Sequence, residues 1–334
     1  MAETIRVAQF GLGPIGQACV RTLAAKPGME VVAGIDLDPE KVGRDVGTVC
    51  GLAEPLGVEV EPDAAASLAR ARPHVVLHTT QSFLHTVEEQ LTTLLGAGVA
   101  VVSSTEELFY PEPRDSDFCD RIDRVARQHG VAVVGTGVNP GFVMDLLPVF
   151  LTGICTEVDT LEVFRVVDAG QRRLPLRRKV GAGLTVEAWE ERRRAGGFGH
   201  IGLVESALAV AGTLGWPVDA YTDELEPVVA ERAVAGSEPA VEAGSVAGIH
   251  QVVQVSSGGR RRLTLDLAMY VGAEGSEDRV VVHGTPPLTV RAEGGIFGDT
   301  ATVAALVNTI PQILGARPGL RTMMDLPVPR AFGT

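Results

Sequence analysis

The chain has 334 residues, 45% hydrophobic, 21% charged and only 4% aromatic, with 39 glycines and a formal net charge of −13. That length suggests two domains with sizeable cores. The negative charge repels nucleic acid and anionic membrane, so neither is an expected partner, and no apolar run approaches the ~18–20 residues of a membrane span. The four cysteines, Cys19, Cys50, Cys119 and Cys155, include no CxxC pair. That argues against a zinc or other metal site and against a disulfide framework, and fits a reducing cytoplasm. Cys155 has no base near it in sequence and reads as a small apolar filler. No basic region with a long apolar core opens the chain, so no signal peptide is expected.

Taken in chain order, Ile5 to Phe10 (IRVAQF) reads as a buried strand, Pro14 to Ala25 as a helix and Glu30 to Asp36 as the next strand. His74 to Thr80 is another strand, followed by a helix from about Ser82 to Leu95. Val99 to Ser104 and Val131 to Thr136 are two more, separated by a charged helix from about Asp115 to Gln128. Strands alternating with helices define βαβ units and a parallel sheet, and their continuous apolarity says that both faces are covered. After Pro148 the pattern changes. Thr160 to Asp168 reads as a long strand, two helical stretches follow near Val186 to Arg194 and His200 to Gly212, and four strand-like runs come at 248–255, 262–270, 279–283 and 288–292. Strands grouped in this way indicate a mainly antiparallel sheet. A last helix from about Asp299 to Leu314 precedes a proline-rich tail. The expected organisation is an α/β protein with a dinucleotide-binding Rossmann domain over 1–150. A second α+β domain over 151–298 serves substrate and dimerisation, and a C-terminal helix and tail over 299–334 pack back on the first domain.

The segment Gly11-Leu12-Gly13-Pro14-Ile15-Gly16 has full G-x-G-x-x-G spacing, follows a strand and opens a helix. An acid, Asp36, ends the second strand about 20 residues on, as the dinucleotide fingerprint requires. Gly11 allows the tight turn, Gly13 lets backbone approach a pyrophosphate, and Gly16 lets helix pack on strand. The helix N-terminus presents N–H groups to the phosphates. Asp36 is expected on the ribose hydroxyls, opposing a 2′-phosphate, which favours NAD, although Lys41 and Arg44 just beyond would tolerate NADP. Thr79 and Thr80, at the next strand end, lie where ribose and nicotinamide run in this layout. His78 beside them reads as part of the packed sheet end and not as a catalyst.

Glu106 and Glu107, in VVSSTEELFYP, sit beyond the carboxyl end of a strand, where ligands bind in open α/β sheets. Solvated acids starting a turn are the bland alternative. The neighbouring strand ends in GTGVNPGF, with Asn139 before a sharp Pro-Gly turn and Phe142 after it, a segment suited to the floor of a nicotinamide pocket. The arginine-rich run Gln171 to Lys179 reads either as a solvated loop or as an anion contact.

FGLGPIG, PEKVGRDVG, STEELFYP, GTGVNPGFVMD, VGAGLT, GHIGLVES and the run from Asn308 to Ala331 together carry a resemblance along essentially the whole chain. The protein resembles the 2,4-diaminopentanoate dehydrogenases and related native amine dehydrogenases, often labelled dihydrodipicolinate reductase-like. The resemblance implies oxidation of a primary amine to an imine by hydride transfer to NAD or NADP, followed by hydrolysis to a carbonyl and ammonia, or the reverse amination. It implies that a glutamate of the TEEL motif is the key acid, Glu106 or Glu107, and that Arg165 and His200 line the substrate pocket. A carboxylate suits that chemistry independently, because an amine arrives as ammonium and must lose a proton before hydride can leave its carbon. The partners implied are the amine or carbonyl substrate and ammonia, and a homodimer is expected because an open antiparallel sheet has a face to cover. The chain departs from the family at Val167, where a polar residue is usual, at Arg172, in place of an aromatic, and in GGIFGDTAT. A more apolar wall would suit a simple alkyl amine, whereas Arg172 and Arg173 favour a carboxylate-bearing one. Two rival readings are dihydrodipicolinate reductase, whose paired-histidine motif is missing here, and a dinucleotide-binding sensor without turnover.

Overall fold

The computed structural model of the protein describes residues 4–196 and 198–332. It divides into two compact units, one made of the chain up to Phe142 together with the segment from Gly298, the other of Val143–Phe297.

The first unit begins β1 (Ile5–Phe10), α1 (Pro14–Ala24), β2 (Met29–Ile35), α2 (Val46–Val49), β3 (Val60–Glu61) and α3 (Ala64–Ala71). It continues with β4 (Val75–His78), α4 (Leu84–Gly96), β5 (Ala100–Ser103), a 3₁₀ turn (Glu106–Phe109), α5 (Ser116–Gln128) and β6 (Ala132–Gly135). β4, β5 and β6 are four-residue strands buried at every position, so their mainly apolar composition, broken only by His78 and Ser103 at the strand ends, follows from cover on both faces. α4 turns Leu84, Val87, Leu91, Leu94 and Leu95 inward, and α5 does the same with Phe118, Cys119, Ile122 and Ala126. That spacing makes one apolar stripe per helix. Asp45, Asp63 and Asp115 accept backbone N–H groups at the starts of α2, α3 and α5, the ordinary way for a helix to satisfy its first donors.

The second unit holds α6 (Leu146–Thr152), β7 (Glu157–Asp168), a 3₁₀ turn (Ala169–Gln171), α7 (Leu174–Lys179), α8 (Val186–Ala195) and α9 (Leu203–Thr213). β8 (Ala220–Val229), β9 (Val246–Ser257), β10 (Arg260–Tyr270), β11 (Glu277–Thr285) and β12 (Leu288–Glu293) complete it. Its six-stranded sheet has the order β12-β11-β7-β10-β9-β8. The pairing is antiparallel except between β7 and β10, which run parallel. α6 and α9 cover one face, and there β7 buries Leu161, Val163 and Arg165 while Glu162, Phe164 and Val166 alternate onto the other, half-covered face. The sequence reading missed β8, a mostly exposed edge strand whose acids and Pro227 disguise it; an edge tolerates both. Within the arginine-rich run, expected as a loop, Leu174–Lys179 forms a helical turn and a half with Pro175 in its first turn.

The chain then returns to the first unit as α10 (Gly298–Leu314) and β13 (Gly319–Arg321). The parallel sheet there has the order β13-β6-β5-β4-β1-β2-β3, so β13 adds a seventh strand beside β6. α6 packs on β7, β11 and α9, which puts residues 146–150 in the second unit although the sequence reading drew a boundary at 150. No helix among the described residues is long and apolar enough to cross a membrane.

Candidate active site

β1, β2, β4, β5 and β6 run parallel, so their carboxyl ends share one edge of the first sheet. Phe10, Ile35, His78, Ser103 and Gly135 are the last strand residues there, and ligands of open α/β sheets bind beyond such an edge.

The glycine loop joins β1 to α1. Gly11 has φ +87° and a Cβ on it would lie 2.5 Å from the Thr79 carbonyl oxygen; a Cβ on Gly16 would lie 1.9 Å from the Gly11 carbonyl oxygen. Both glycines are therefore demanded by the loop's own packing. Gly13 differs, because a Cβ there meets nothing within 4 Å. Nothing inside the fold requires glycine at that spot, and the open space over the backbone suits a closely approaching phosphate. α1 starts at that point with Pro14 and Ile15, has no acid in its first turn and no side-chain cap, so no side chain competes with an anion at its positive end. Leu12 is fully buried and donates its N–H to Asp36 Oδ2 at 2.7 Å. Asp36 thus ties the end of β2 to the loop, and its Oδ1 accepts the Asp38 N–H at 2.9 Å. Lys41 Nζ lies 3.3 Å from Asp36 Oδ2 and 3.1 Å from Asp38 Oδ2. Partial burial works against the Lys41 ammonium, but hydrogen bonds to the two aspartates outweigh it and raise its pKa. Thr79 donates its hydroxyl to the Gly11 carbonyl at 2.9 Å, and Gln9 donates to the same carbonyl and to Thr79 Oγ1 at 3.0 and 2.9 Å. Gln9, fully buried, was missed by sequence reasoning; its signal was one amide among the apolar residues Val7, Ala8 and Phe10. These residues fit a dinucleotide.

The two acids of the turn after β5 have different surroundings. Glu107 is 5% exposed. Its Oε2 accepts the Leu84 N–H at 2.8 Å and its Oε1 lies 3.1 Å from Arg114 Nη1. α4 begins at Leu84 with Phe83 at its N-cap, which supplies no side-chain acceptor; Glu107 provides the missing one from another part of the chain. Glu106 opens the 3₁₀ turn and is only half-buried. Asn139 is 9% exposed in the loop beyond β6, and Phe142, half-buried, closes the first unit.

Arg165 and His200 belong to the second unit. Arg165 is 1% exposed; its Nη1 donates to Asp278 Oδ1 at 2.7 Å and its Nη2 to the Ile296 carbonyl at 3.0 Å. Asp278 Oδ2 accepts the Ile296 N–H at 2.7 Å. Burial pushes the Asp278 carboxyl up and the Arg165 guanidinium down, each opposed by attraction to the other. The guanidinium expected in a substrate pocket is thus committed to fixing the Ile296 backbone. His200 precedes α9 instead of opening it and donates its backbone N–H to Gln251 Oε1 at 2.9 Å. Arg172 is 6% exposed, with its guanidinium carbon 5.7 Å from the Phe297 ring centre.

A parallel sheet with this glycine loop, an acid closing β2 and a polar turn beside β5 defines a nicotinamide-dinucleotide dehydrogenase of the Rossmann type. Residues 142–334 match the model of the 2,4-diaminopentanoate dehydrogenase C-terminal domain, and residues 5–108 match that of the dihydrodipicolinate reductase N-terminus. The chain belongs to the 2,4-diaminopentanoate dehydrogenase family and is an NAD(P)-dependent oxidoreductase of the amine dehydrogenase class. It is 32% identical to the 2,4-diaminopentanoate dehydrogenase of Acetoanaerobium sticklandii, over 99% of this chain and 95% of that protein. It is 26% identical to an amine dehydrogenase of Streptomyces virginiae, over 97% and 96% of the two chains. Among solved structures, an amine dehydrogenase from Mycobacterium smegmatis superposes with a TM-score of 0.89 at 26% identity, covering 99% of this chain and 98% of that one.

Proposed function

We propose that the enzyme oxidises a small primary amine to the imine, with Glu106 as the acid–base group, and that it releases ammonia and a carbonyl compound by hydrolysis, or runs in reverse. The observation that carries the choice of acid is burial at the turn. Glu107 is 5% exposed, with its oxygens held against Leu84 and Arg114, whereas Glu106 is only half-buried at the ligand edge of the sheet. In this reading the Glu106 carboxylate holds the substrate ammonium, accepts its proton to leave a lone pair on nitrogen, releases that proton to solvent, and then deprotonates the water that adds to the imine carbon. Gly11, Leu12, Gly13, Pro14, Ile15 and Gly16 would hold the pyrophosphate, Asp36 the adenosine ribose, and Thr79 and Thr80 the nicotinamide side. The bound dinucleotide supplies the hydride acceptor. Asn139 and Phe142 would shape the floor beside it.

Asp36 favours NAD, and Lys41, already paired with Asp36 and Asp38, allows NADP a counter-ion for its extra phosphate. The half-covered face of the six-stranded sheet carries Phe164, Val166, Val252 and Val281 among polar pairs and supports a homodimer across it, which sedimentation of the intact enzyme reads directly. The test of the activity is reduced-cofactor absorbance on mixing enzyme, NAD or NADP, and amines with and without a carboxylate. Turnover of an amine that Glu106→Gln abolishes supports the assignment. Tight cofactor binding with no turnover of any amine or carbonyl would sink it and favour a sensor.

A further inference from the structure

Beside the proposed acid turn lies a chain of side chains that starts at His78, read from the sequence as part of the packed sheet end. His78, the last residue of β4, is fully buried. Its Nδ1 lies 2.9 Å from Ser103 Oγ, and its Nε2 lies 2.7 Å from Gln90 Oε1 and 2.9 Å from Thr80 Oγ1, whose hydroxyl also lies 2.8 Å from Gln90 Oε1. Ser103 Oγ is in turn 3.0 Å from Thr105 Oγ1 and accepts the Thr105 N–H at 3.1 Å. Thr105 Oγ1 donates to the Gln81 carbonyl at 2.9 Å, and the Glu107 N–H donates to the Ser82 carbonyl at 3.2 Å. Thr105 is the residue from which the turn of Glu106 starts. The chain therefore links the end of β4, the loop Thr80–Ser82 and the acid turn.

The protons along it can be assigned from its fixed end. A carbonyl oxygen only accepts, so the Thr105 hydroxyl proton is spent on Gln81. Thr105 Oγ1 must then accept from Ser103, which spends the Ser103 proton. Ser103 Oγ must accept from the ring, so Nδ1 carries hydrogen. Burial pushes His78 down to about 4, against a raising hydrogen bond from Gln90, so the imidazole is neutral near pH 7 and Nε2 is bare. A bare Nε2 at 2.7 Å from Gln90 Oε1 requires that amide to be reversed by a half-turn, so that its NH2 group donates to the ring in place of the oxygen. The other neutral tautomer leaves the 3.0 Å contact between Ser103 and Thr105 without a proton. A buried contact of two acceptors is unfavourable.

We propose that His78 is a positioning residue for the amine dehydrogenase reaction, which as the Nδ1–H tautomer orders the hydrogen-bond chain that fixes the Glu106 turn against the loop after β4. The proposal rests on Glu106 being the reacting acid. It predicts an asymmetry between two conservative replacements. An asparagine amide reaches the place of Nδ1 and retains a donor to Ser103, whereas a glutamine amide reaches the place of Nε2 and does not.

The experiment uses the full-length enzyme with dinucleotide and whichever amine turns over fastest. His78→Asn retains most of kcat, and His78→Gln and His78→Leu each lose about 10- to 100-fold, the cost of a small misplacement of a reacting group. Dinucleotide Kd, followed by fluorescence titration, stays within about threefold in all three, because the chain acts on the acid turn and leaves the glycine loop intact. A nitrogen-15 spectrum of the wild-type histidines, with His78 assigned by its loss in His78→Asn, shows hydrogen on Nδ1 and a bare Nε2. Equal losses in His78→Asn and His78→Gln, or hydrogen on Nε2 in the spectrum, would overturn the inference. A fully active Glu106→Gln enzyme would sink the acid assignment instead, with the tautomer result standing by itself.

Discussion

Replacing each acid of the 3₁₀ turn in turn separates a chemical carboxylate from a structural one. Glu107→Ala leaves the Leu84 N–H buried without its acceptor at the start of α4, a loss of about 1–3 kcal/mol. It also removes the ion pair with Arg114, whose side chain is 46% exposed, so that contact adds about 0–1 kcal/mol. The total is about 1–4 kcal/mol, which at about 2–4 °C per kcal/mol lowers Tm by about 2–16 °C. Glu107→Gln does less, since its amide oxygen still accepts from Leu84. Glu106→Gln lowers kcat by about 10²–10⁴, the range of a lost acid–base group. Thermal melts and initial rates on the same preparations read both effects. A Glu107→Gln enzyme that is inactive yet melts normally, beside an active Glu106→Gln enzyme, would reverse the assignment and refute the argument from burial.

Three further outcomes are expected. His78 titrates near 4 when folded and near 6.5 when unfolded, so the unfolded chain takes the proton first; as pH falls from about 6.5 to about 4 the wild type loses about 3 kcal/mol more stability than His78→Asn, read by urea denaturation at each pH. Asp278→Ala strands the buried Arg165 cation and destabilises by about 3–5 kcal/mol, while the double change Arg165→Met with Asp278→Leu recovers most of it; no recovery would mean that the Ile296 contacts matter more than the charge pair. Asp36→Ala weakens NAD binding about tenfold or more and NADP binding less, and Lys41→Ala weakens NADP more than NAD; equal losses in direct titrations would undo the ribose and phosphate assignments.

The parallel sheet was legible because β1, β2, β4, β5 and β6 are short, apolar on both faces and punctuated by glycine turns, so local composition carries the topology. β8 was not, since an exposed edge strand needs no alternation and tolerates acids and Pro227. At the site, Gly11, Gly16 and Asp36 were visible because each answers a local backbone demand. The distinction between Glu106 and Glu107 was hidden, because what separates them is the start of α4 and Arg114, segments on either side of the turn whose placement only the fold supplies. The ion pair of Arg165 was hidden for the same reason: its partner Asp278 lies 113 positions away, and a lone arginine in a strand carries no sign of whether its charge is spent. His78 was correctly read as packed, but its hydrogen-bonding partners come from three other elements.

The placement of α10 and β13 bears on how the enzyme is made. The nucleotide unit is interrupted after Phe142 and resumes only at Gly298, so a ribosome must deliver the whole intervening unit before the seventh strand exists. Until then β6 has its outer side bare, a row of unpaired amides of the sort that recruits stray strands. A chain ending near residue 297 would carry every glycine and acid discussed above and still be an aggregation-prone fragment, whereas splicing a foreign domain between the two breakpoints would keep the nucleotide half whole.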